Sequence, residues 1–236
     1  MQFGMTNFPA IIVDNFFTNP EEIVQRANEL TFSPAENGKY AGVRTKALHE
    51  TDPVFQDYCN NKFFRLFYDY NVTEINWQVT SFFHKIEAPD TNDKESWYNK
   101  SWIHIDPKAI AAGIIYLTPD ADPDSGTSIY KLKSGQEALF DDTARINFHR
   151  DNNRGDGYIE KLKEHNSKFE ESVVIKNVYN RLAAYDSKEF HAANNYYTGV
   201  KPRLTYVFFV YGLNTTSKSP LERCHDMPAS LVDWKL

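Results

Sequence analysis

Short segments rich in β-branched and aromatic residues, separated by tight turns, dominate the chain after residue 75. They lie at residues 76–86, 102–105, 109–117, 127–130, 173–176, 181–185 and 203–211. Such residues favour extended backbone, and turns such as Asp124-Ser125-Gly126 join them without the helical crossovers that parallel strands require. The pattern predicts an antiparallel sandwich or barrel, and we favour a jelly roll.

Two helical patterns precede these segments. Asn19 can cap a helix that begins at Pro20, where two following acids complement the helix dipole. The sequence Thr51-Asp52-Pro53 predicts a second helix over residues 55–70. Residues 33–48, between the helices, are small, polar and basic, and they predict a loop. We therefore expect N-terminal helices packed on one sheet.

The length of 236 residues fits one large domain, residues 1–236. We expect a helical region over residues 1–74, a jelly-roll core over 75–212 and a C-terminal tail over 213–236. A strongly charged stretch over residues 132–172, with a helix at 158–165, is expected to be an insertion in that core. Long insertions of this kind are usually lids or specificity elements.

Charge and composition exclude several classes of protein. The net charge of −6 and the pI near 5.7 provide no global basic field, so we expect no binding to duplex nucleic acid. No apolar run approaches the roughly 18 residues of a membrane span, and the N-terminus lacks a leader pattern. A soluble, cytoplasmic protein is expected. Cys59 and Cys224 have no CxxC spacing and predict reduced, structural thiols.

The strongest local motif is His104-Ile105-Asp106. In a strand, residues i and i+2 project from the same face, so the imidazole and the carboxylate would point together. These groups are two thirds of the facial ligand set that non-haem Fe(II) uses. His191, which follows the segment at 181–185, is the third ligand we favour. The other five histidines fit less well. His149 and His165 lie in the charged insertion, and His225 lies in the C-terminal tail. His49 precedes the second helix, and His84 precedes the turn after the first strand.

The segment at residues 203–211 adds a basic group. Its odd-numbered residues share one face, so Arg203 and Thr205 would point the same way from an otherwise apolar strand. A guanidinium buried there requires a carboxylate partner, and a dicarboxylate ligand would supply one. The Thr205 hydroxyl could add a hydrogen bond.

The order of H-x-D, distal histidine and basic residue resembles the Fe(II)/2-oxoglutarate-dependent oxygenases, particularly the prolyl 4-hydroxylase-like branch. Residues 11–16, 113–120 and 190–192 are also similar to that family, as is the turn at residues 125–127. The resemblance implies a mainly β (α+β) fold, a double-stranded β-helix of the jelly-roll, cupin-like type. It implies Fe(II), 2-oxoglutarate as co-substrate and O2, with His104, Asp106 and His191 as the metal ligands and catalytic centre.

The resemblance also implies roles for the neighbouring residues. Arg203 would pair with the distal carboxylate of 2-oxoglutarate, Tyr116 would donate a hydrogen bond to it, and Thr205 matches a frequent Ser/Thr of the family. Upstream of H-x-D the sequence departs from the family pattern, which makes Tyr98 a substrate-side candidate. Arg44, in a loop similar to those of bacterial and phage members, is a second candidate.

The expected reaction is hydroxylation of a C–H bond coupled to conversion of 2-oxoglutarate to succinate. The substrate could be a protein or peptide side chain or a small molecule. An alternative is a non-oxidative cupin-type jelly roll that binds a metal or carbohydrate, and another is a degenerate structural relative. Arg203 with Tyr116 favours the oxygenase over the first, and the three intact ligand types favour it over the second.

Overall fold

The computed structural model describes residues 10–35, 40–138, 146–147, 149, 157–199 and 201–218. Its helices are α1 (Pro20–Glu29), α2 (Leu48–Thr51), α3 (Pro53–Phe64) and α4 (Tyr158–Ser167). Its strands are β1 (Ile11–Val13), β2 (Phe32–Pro34), β3 (Val43–Thr45), β4 (Ile75–Ile86), β5 (Ala111–Tyr116), β6 (Thr127–Leu132), β7 (Phe169–Ile175), β8 (Leu182–Asp186), β9 (Phe190–Ala193) and β10 (Arg203–Thr215). None of the helices among these residues is long and apolar enough to cross a membrane.

The strands form two antiparallel sheets. The larger sheet has seven strands in the order β1-β8-β5-β10-β4-β3-β2, and the smaller has the order β7-β6-β9. An isolated bridge between His104 and His191 extends the smaller sheet at β9. All the strand pairs among the described residues are antiparallel. The predicted fold class, a mainly β double-layered jelly roll with N-terminal helices, is confirmed.

The helices begin largely as the sequence predicts. Helix α1 starts at Pro20, but the Asn19 side chain donates to the Glu22 carboxylate at 2.9 Å instead of capping a backbone N–H. Asp52 caps α3 by accepting from the Phe55 N–H at 3.2 Å. The second helix ends at Phe64, so the expected extension to residue 70 is wrong. After this point the chain forms turns before β4.

The region predicted as a loop, residues 33–48, contains two short strands. Strand β2 pairs with β3, and β3 adds to β4 through the register Val43 to Lys85 and Arg44 to His84. The loop prediction is therefore wrong for β3. Its three residues lack a period long enough to show as a strand, and pairing with β4 in the tertiary structure supplies the missing stabilisation. This pairing places Arg44 beside the centre of the larger sheet.

The aromatic surplus of the sequence has a specific place, between α3 and one face of the larger sheet. The even-numbered residues Tyr206 and Phe208 of β10 are buried here. The ring centroid of Phe63 lies 4.8 Å from that of Phe208, and the Phe55 centroid lies 6.0 Å from that of Tyr206. The opposite face of the larger sheet carries the odd-numbered residues of β10 and faces the cavity between the two sheets.

The charged insertion is shorter than expected at its C-terminal end. Strand β7 begins at Phe169, and α4 covers the helix expected at residues 158–165. The α4 side chains pack inward through Tyr158 and Leu162 against Trp102. Residues 139–145, 148 and 150–156 lie outside the part of the chain that the structure describes, as does the tail beyond residue 218, which includes Cys224.

Candidate active site

The two histidines and the aspartate of the predicted triad converge between the sheets. One potential ligand atom from each of His104, Asp106 and His191 lies within 4.8 Å of the others. His191 is carried by β9, which pairs with β6. His104 and His191 exchange both backbone hydrogen bonds, at 3.0 and 2.9 Å, and the Asp106 N–H donates to the Ser187 carbonyl at 2.8 Å. Three main-chain hydrogen bonds between sequence-distant segments thus hold the three side chains together.

The tautomers of both histidines follow from their hydrogen bonds. Nδ1 of His104 lies 2.8 Å from the Trp102 carbonyl oxygen, and Nδ1 of His191 lies 2.8 Å from the Glu189 carbonyl oxygen. A carbonyl can only accept, so each Nδ1 carries the hydrogen and each Nε2 lone pair is directed at the site. Hydrogen bonds of this kind orient the histidine ligands of metal centres.

The chemistry of the donor set fits a divalent metal. Nε2 of His191 lies 3.3 Å from Oδ2 of Asp106, so an acceptor nitrogen faces a carboxylate oxygen. This approach requires a proton or a cation between the two atoms. Burial by itself raises the pKa of Asp106, but its hydrogen bond and electrostatic interaction with His191, with the interactions of His104 and Arg44, lower it to about 2. The carboxylate is therefore ionised and can ligate.

Helix α4 holds the segment that carries His104. Asn166 accepts from the Ile103 N–H at 3.2 Å and donates to the Ser101 carbonyl at 3.0 Å. Nε2 of His165 bonds the Ile103 carbonyl at 2.7 Å, and its ring stacks on Trp102 with centroids 4.6 Å apart. The strand predicted over residues 102–105 is wrong, because only His104 forms a bridge. Side chains of α4 supply the hydrogen bonds that a neighbouring strand would otherwise give.

The triad opens onto a cavity of about 580 Å³ between the sheets, a size typical of small-molecule sites. Apolar walls come from β5 and β10, including Ala112, Ile114 and Val207. Cationic side chains also line it, namely Arg44, Lys108 and Arg203, and Asp106 is the acidic residue among the described lining residues.

Arg203 is buried at one side of this cavity, with 2% of its surface exposed. Its Nε donates to the Ser125 carbonyl at 2.9 Å, and its guanidinium carbon lies 5.4 Å from the ring centroid of Tyr116. Nη2 is buried and has no hydrogen-bond partner among the described residues. Burial lowers the pKa of Arg203, but a guanidinium stays charged throughout the physiological range. A buried donor of this kind is satisfied by an acceptor, and the positive charge of the guanidinium favours an anionic one.

The structure places the other two predicted co-substrate residues behind the cavity wall. The Tyr116 hydroxyl donates to Oγ1 of Thr127 at 2.9 Å, and Tyr116 is fully buried. Thr127 lines the cavity, whereas Tyr116 does not. Thr205 is also fully buried, and its hydroxyl donates to the His84 carbonyl at 3.3 Å. Thr205 lies on the same face of β10 as Arg203, as the alternation predicts, but neither Tyr116 nor Thr205 lines the cavity.

The two substrate candidates separate in the structure. Arg44 lines the cavity, with its guanidinium carbon 4.1 Å from the ring centroid of Tyr40. Tyr98 does not line the cavity and packs instead with Trp102, Tyr158 and Leu162. The 3-10 turn at Trp97–Asn99 directs Tyr98 toward α4. A turn of three residues is too short to give the periodic sequence pattern of a strand or a helix.

Several residues that line the cavity are not among the site residues predicted from the sequence. Tyr185 is buried, and its ring centroid lies 4.6 Å from that of His191. Tyr196 is buried beside Arg203's side of the cavity. His84 faces the cavity from β4, and burial, with the charge of Arg44, holds its pKa well below the usual value. The shared parity of alternate residues along β4 and β8 could have identified His84 and Tyr185. His149, from the insertion, also lines the cavity.

A family model described as "Family of unknown function (DUF6445)" matches residues 1–197. The chain belongs to the DUF6445 family. No curated protein matches the sequence of this DUF6445 member.

Solved structures show what this DUF6445 fold is similar to. The epimerase SnoN in complex with Fe3+, alpha ketoglutarate and nogalamycin RO has a TM-score of 0.50 and 11% identity, over 95% of this chain and 87% of SnoN. HygX from Streptomyces hygroscopicus, with nickel and 2-oxoglutarate bound, has a TM-score of 0.48 and 11% identity, over 86% and 83%. A Pseudomonas putida prolyl-4-hydroxylase has a TM-score of 0.42 and 11% identity, over 87% and 94%. The likeness to SnoN confirms, at the level of the fold, the resemblance to 2-oxoglutarate oxygenases.

Proposed function

We propose that this protein is an Fe(II)- and 2-oxoglutarate-dependent oxygenase that hydroxylates a C–H bond. The observation that carries the proposal is the pairing of two features across one cavity. A His-Asp-His donor set lies on one wall, and the buried, unpaired Nη2 of Arg203 lies on another. A metal-binding jelly roll without redox turnover needs the first feature but has no use for the second.

His104, Asp106 and His191 would hold Fe(II), and Arg203 would bind the distal carboxylate of 2-oxoglutarate. Bound Fe(II) supplies the oxidative chemistry in which 2-oxoglutarate and O2 become succinate and CO2 and one oxygen atom enters a substrate C–H bond. A two-histidine, one-carboxylate set occupies one face of the metal and leaves positions for a chelating co-substrate and O2. Two His-to-carbonyl hydrogen bonds fix the ligand tautomers before any metal arrives.

The remaining residues orient the co-substrate and exclude water. Arg203 is held by the Ser125 carbonyl and by the face of Tyr116, so its remaining N–H groups are fixed in direction. Thr127 on β6 accepts the hydrogen bond of Tyr116 and itself lines the cavity. Tyr116 and Thr205 would act by supporting Arg203 and the sheet. The apolar walls from β5 and β10 would keep the reacting centre dry.

Binding of 2-oxoglutarate tests this proposal directly. Calorimetry under anaerobic conditions should show 2-oxoglutarate binding that depends on Fe(II), and aerobic incubation should yield succinate. Arg203→Gln should weaken 2-oxoglutarate binding by about ten- to a hundredfold, because a charge-assisted hydrogen bond is lost, while metal binding persists.

Arg181→Gln is the matched control. Arg181 lies on the surface and pairs with Asp14, outside the cavity. Its replacement should leave 2-oxoglutarate affinity unchanged. Metal binding without 2-oxoglutarate binding or succinate formation would favour the non-oxidative cupin-type alternative, and loss of metal in Arg203→Gln would show that Arg203 has another role.

A further inference from the structure

Tyr185 is a buried tyrosine whose hydroxyl forms no hydrogen bond with any residue that the structure describes. Its side chain lines the cavity, and the residue is 6% exposed. A buried tyrosine hydroxyl usually has a partner, because burial removes the water that would otherwise bond it. The Tyr116 hydroxyl follows this rule through its bond to Thr127. The Tyr185 hydroxyl is therefore available to a ligand in the cavity.

The strand register directs the Tyr185 side chain into the cavity. Tyr185 on β8 lies opposite Ala112 on β5, and Ala112 lies opposite Phe209 on β10. Residues opposite one another on neighbouring strands share a face of the sheet, and Ala112 and Phe209 both line the cavity. The Tyr185 ring packs with Ala112 and Ile129, and its centroid lies 4.6 Å from that of the His191 ring. These contacts on several sides fix the direction of the hydroxyl.

The Tyr185 hydroxyl interacts electrostatically with both ends of the site. Burial raises the pKa of Tyr185, the negative charge of Asp106 raises it further, and the positive charge of Arg203 lowers it. The hydroxyl keeps its proton at neutral pH and can donate it in a hydrogen bond. In the proposed function, 2-oxoglutarate extends from a metal ion at Asp106 to the guanidinium of Arg203. A donor that both residues influence is therefore placed beside this dianion.

We propose that Tyr185 donates a hydrogen bond to a carboxylate oxygen of 2-oxoglutarate. This inference rests on the proposed function, because it requires 2-oxoglutarate in the cavity. Tyr116 donates its hydroxyl proton to Thr127 and does not line the cavity, whereas Tyr185 offers its proton at the cavity surface. One bound dianion would satisfy two buried donors at once, the Tyr185 hydroxyl and Nη2 of Arg203.

Removal of a single hydroxyl tests the proposal. 2-Oxoglutarate is titrated calorimetrically into protein loaded with Ni(II), a redox-inert stand-in for Fe(II). Tyr185→Phe should weaken 2-oxoglutarate binding by about ten- to a hundredfold, because a hydrogen bond to a charged group is lost. Its metal affinity, measured by competition with a chelating dye, should be unchanged, because the ring that contacts His191 remains. Its urea midpoint should not fall, because no described residue bonds the hydroxyl.

Two other tyrosine-to-phenylalanine variants provide the comparison. Tyr211→Phe removes a hydroxyl from a cavity-lining tyrosine that is 39% exposed, and it should leave 2-oxoglutarate affinity unchanged. Tyr116→Phe breaks the hydrogen bond to Thr127, so it should lower the urea midpoint. It should also weaken 2-oxoglutarate binding less than Tyr185→Phe does, because Tyr116 lies behind the cavity wall.

The proposal is overturned if the wild-type protein binds 2-oxoglutarate and Tyr185→Phe binds it equally tightly. It is also overturned if Tyr185→Phe loses metal affinity in parallel, since Tyr185 would then act through His191, or if Tyr116→Phe shows the larger loss. Failure of the proposed function gives a different result. In that case the wild-type protein loaded with Ni(II) binds no 2-oxoglutarate, and the role of Tyr185 is refuted together with it.

Discussion

Replacing Asn166 with alanine should disturb the metal ligands from a distance. Asn166 lies near the end of α4, and its amide makes two hydrogen bonds to the segment that carries His104. One bond is accepted from the Ile103 N–H and the other is donated to the Ser101 carbonyl. His104 follows Ile103 directly, so the amide fixes the main chain one residue from a ligand. Asn166→Ala removes both bonds without adding bulk.

The magnitude follows from burial. Ile103 is 3% exposed, so its N–H would be left without water or protein as an acceptor, at a cost of about 1–3 kcal/mol. The second bond contributes about 0.5–1.5 kcal/mol. The free energy of unfolding should fall by about 2–4 kcal/mol. Loss of a residue that orients a ligand from behind typically weakens metal binding by about 10- to 100-fold.

Two measurements separate stability from positioning. Urea unfolding gives the free energy, and competition with a chelating dye gives the metal affinity of the folded protein at low denaturant. Ser167→Ala is the matched control, since Ser167 is the next residue on α4 and bonds only the Glu164 carbonyl at the surface. Asn166→Asp keeps an acceptor for Ile103 but loses the donor to Ser101, so it should lie between wild type and alanine.

The reasoning fails if Asn166→Ala binds metal as tightly as Ser167→Ala while its unfolding free energy falls. Such a result would show that the His104-to-His191 backbone bridge alone positions the ligand. A variant with unchanged stability would instead refute the energetic value assigned to the two hydrogen bonds.

Three further predictions concern the scaffold. Gly113→Ala should lower the free energy of urea unfolding by at least about 2 kcal/mol, because a Cβ there would lie 2.2 Å from Cζ of buried Phe208. Gly212→Ala should cost far less, because the nearest atom to its Cβ would lie at 3.5 Å. Equal effects of the two substitutions would contradict the packing. Asp14→Asn should lower the free energy of unfolding by about 0.2–1 kcal/mol at pH 7, since the hydrogen bond to Arg181 lowers the pKa of Asp14. The difference from wild type should vanish as the pH falls from the ordinary pKa of 3.8 through the lowered pKa of Asp14. A difference that persists in acid would refute the ion pair. In Cys224→Ser protein the remaining Cys59 should resist Ellman's reagent at pH 8 until urea unfolds the chain, because burial raises its pKa to about 12, and fast native labelling would contradict that burial.

Local periodicity carried much of the prediction. Alternation along residues 203–211 predicted one shared face for Arg203 and Thr205, and in the structure Tyr206 and Phe208 lie on the opposite face, in the aromatic core. The spacing of His104 and Asp106 also worked, although the segment forms only one bridge, because an extended backbone keeps the two-residue alternation with or without a ladder. The cap at Asp52 similarly depends on residues three positions apart.

Other features depended on pairings that no local pattern contains. Strand β3 forms because β4 is beside it, and this pairing brings Arg44 to the cavity wall. Tyr98 was a candidate by sequence position, but a short turn directs it to α4. Tyr116, a candidate by resemblance, and Thr205, a candidate by alternation, both lie behind the cavity surface. Whether a side chain extends to the cavity surface depends on how the atoms around it pack, and the identity of the residue alone does not determine this packing.

By itself, the sequence determined the antiparallel mainly β class, the helix starts and the shared direction of His104 and Asp106, because each depends on spacing within a few residues, whereas a backbone bridge in the tertiary structure brings His191 to them. The tertiary structure decided which side chains line the cavity and which side chains hold His104 in place. Those outcomes depend on contacts such as Asn166 to Ile103 and Arg44 to Phe209, between residues far apart in the chain. Only the closed arrangement of two sheets and α4 brings such residues within a few ångströms of one another.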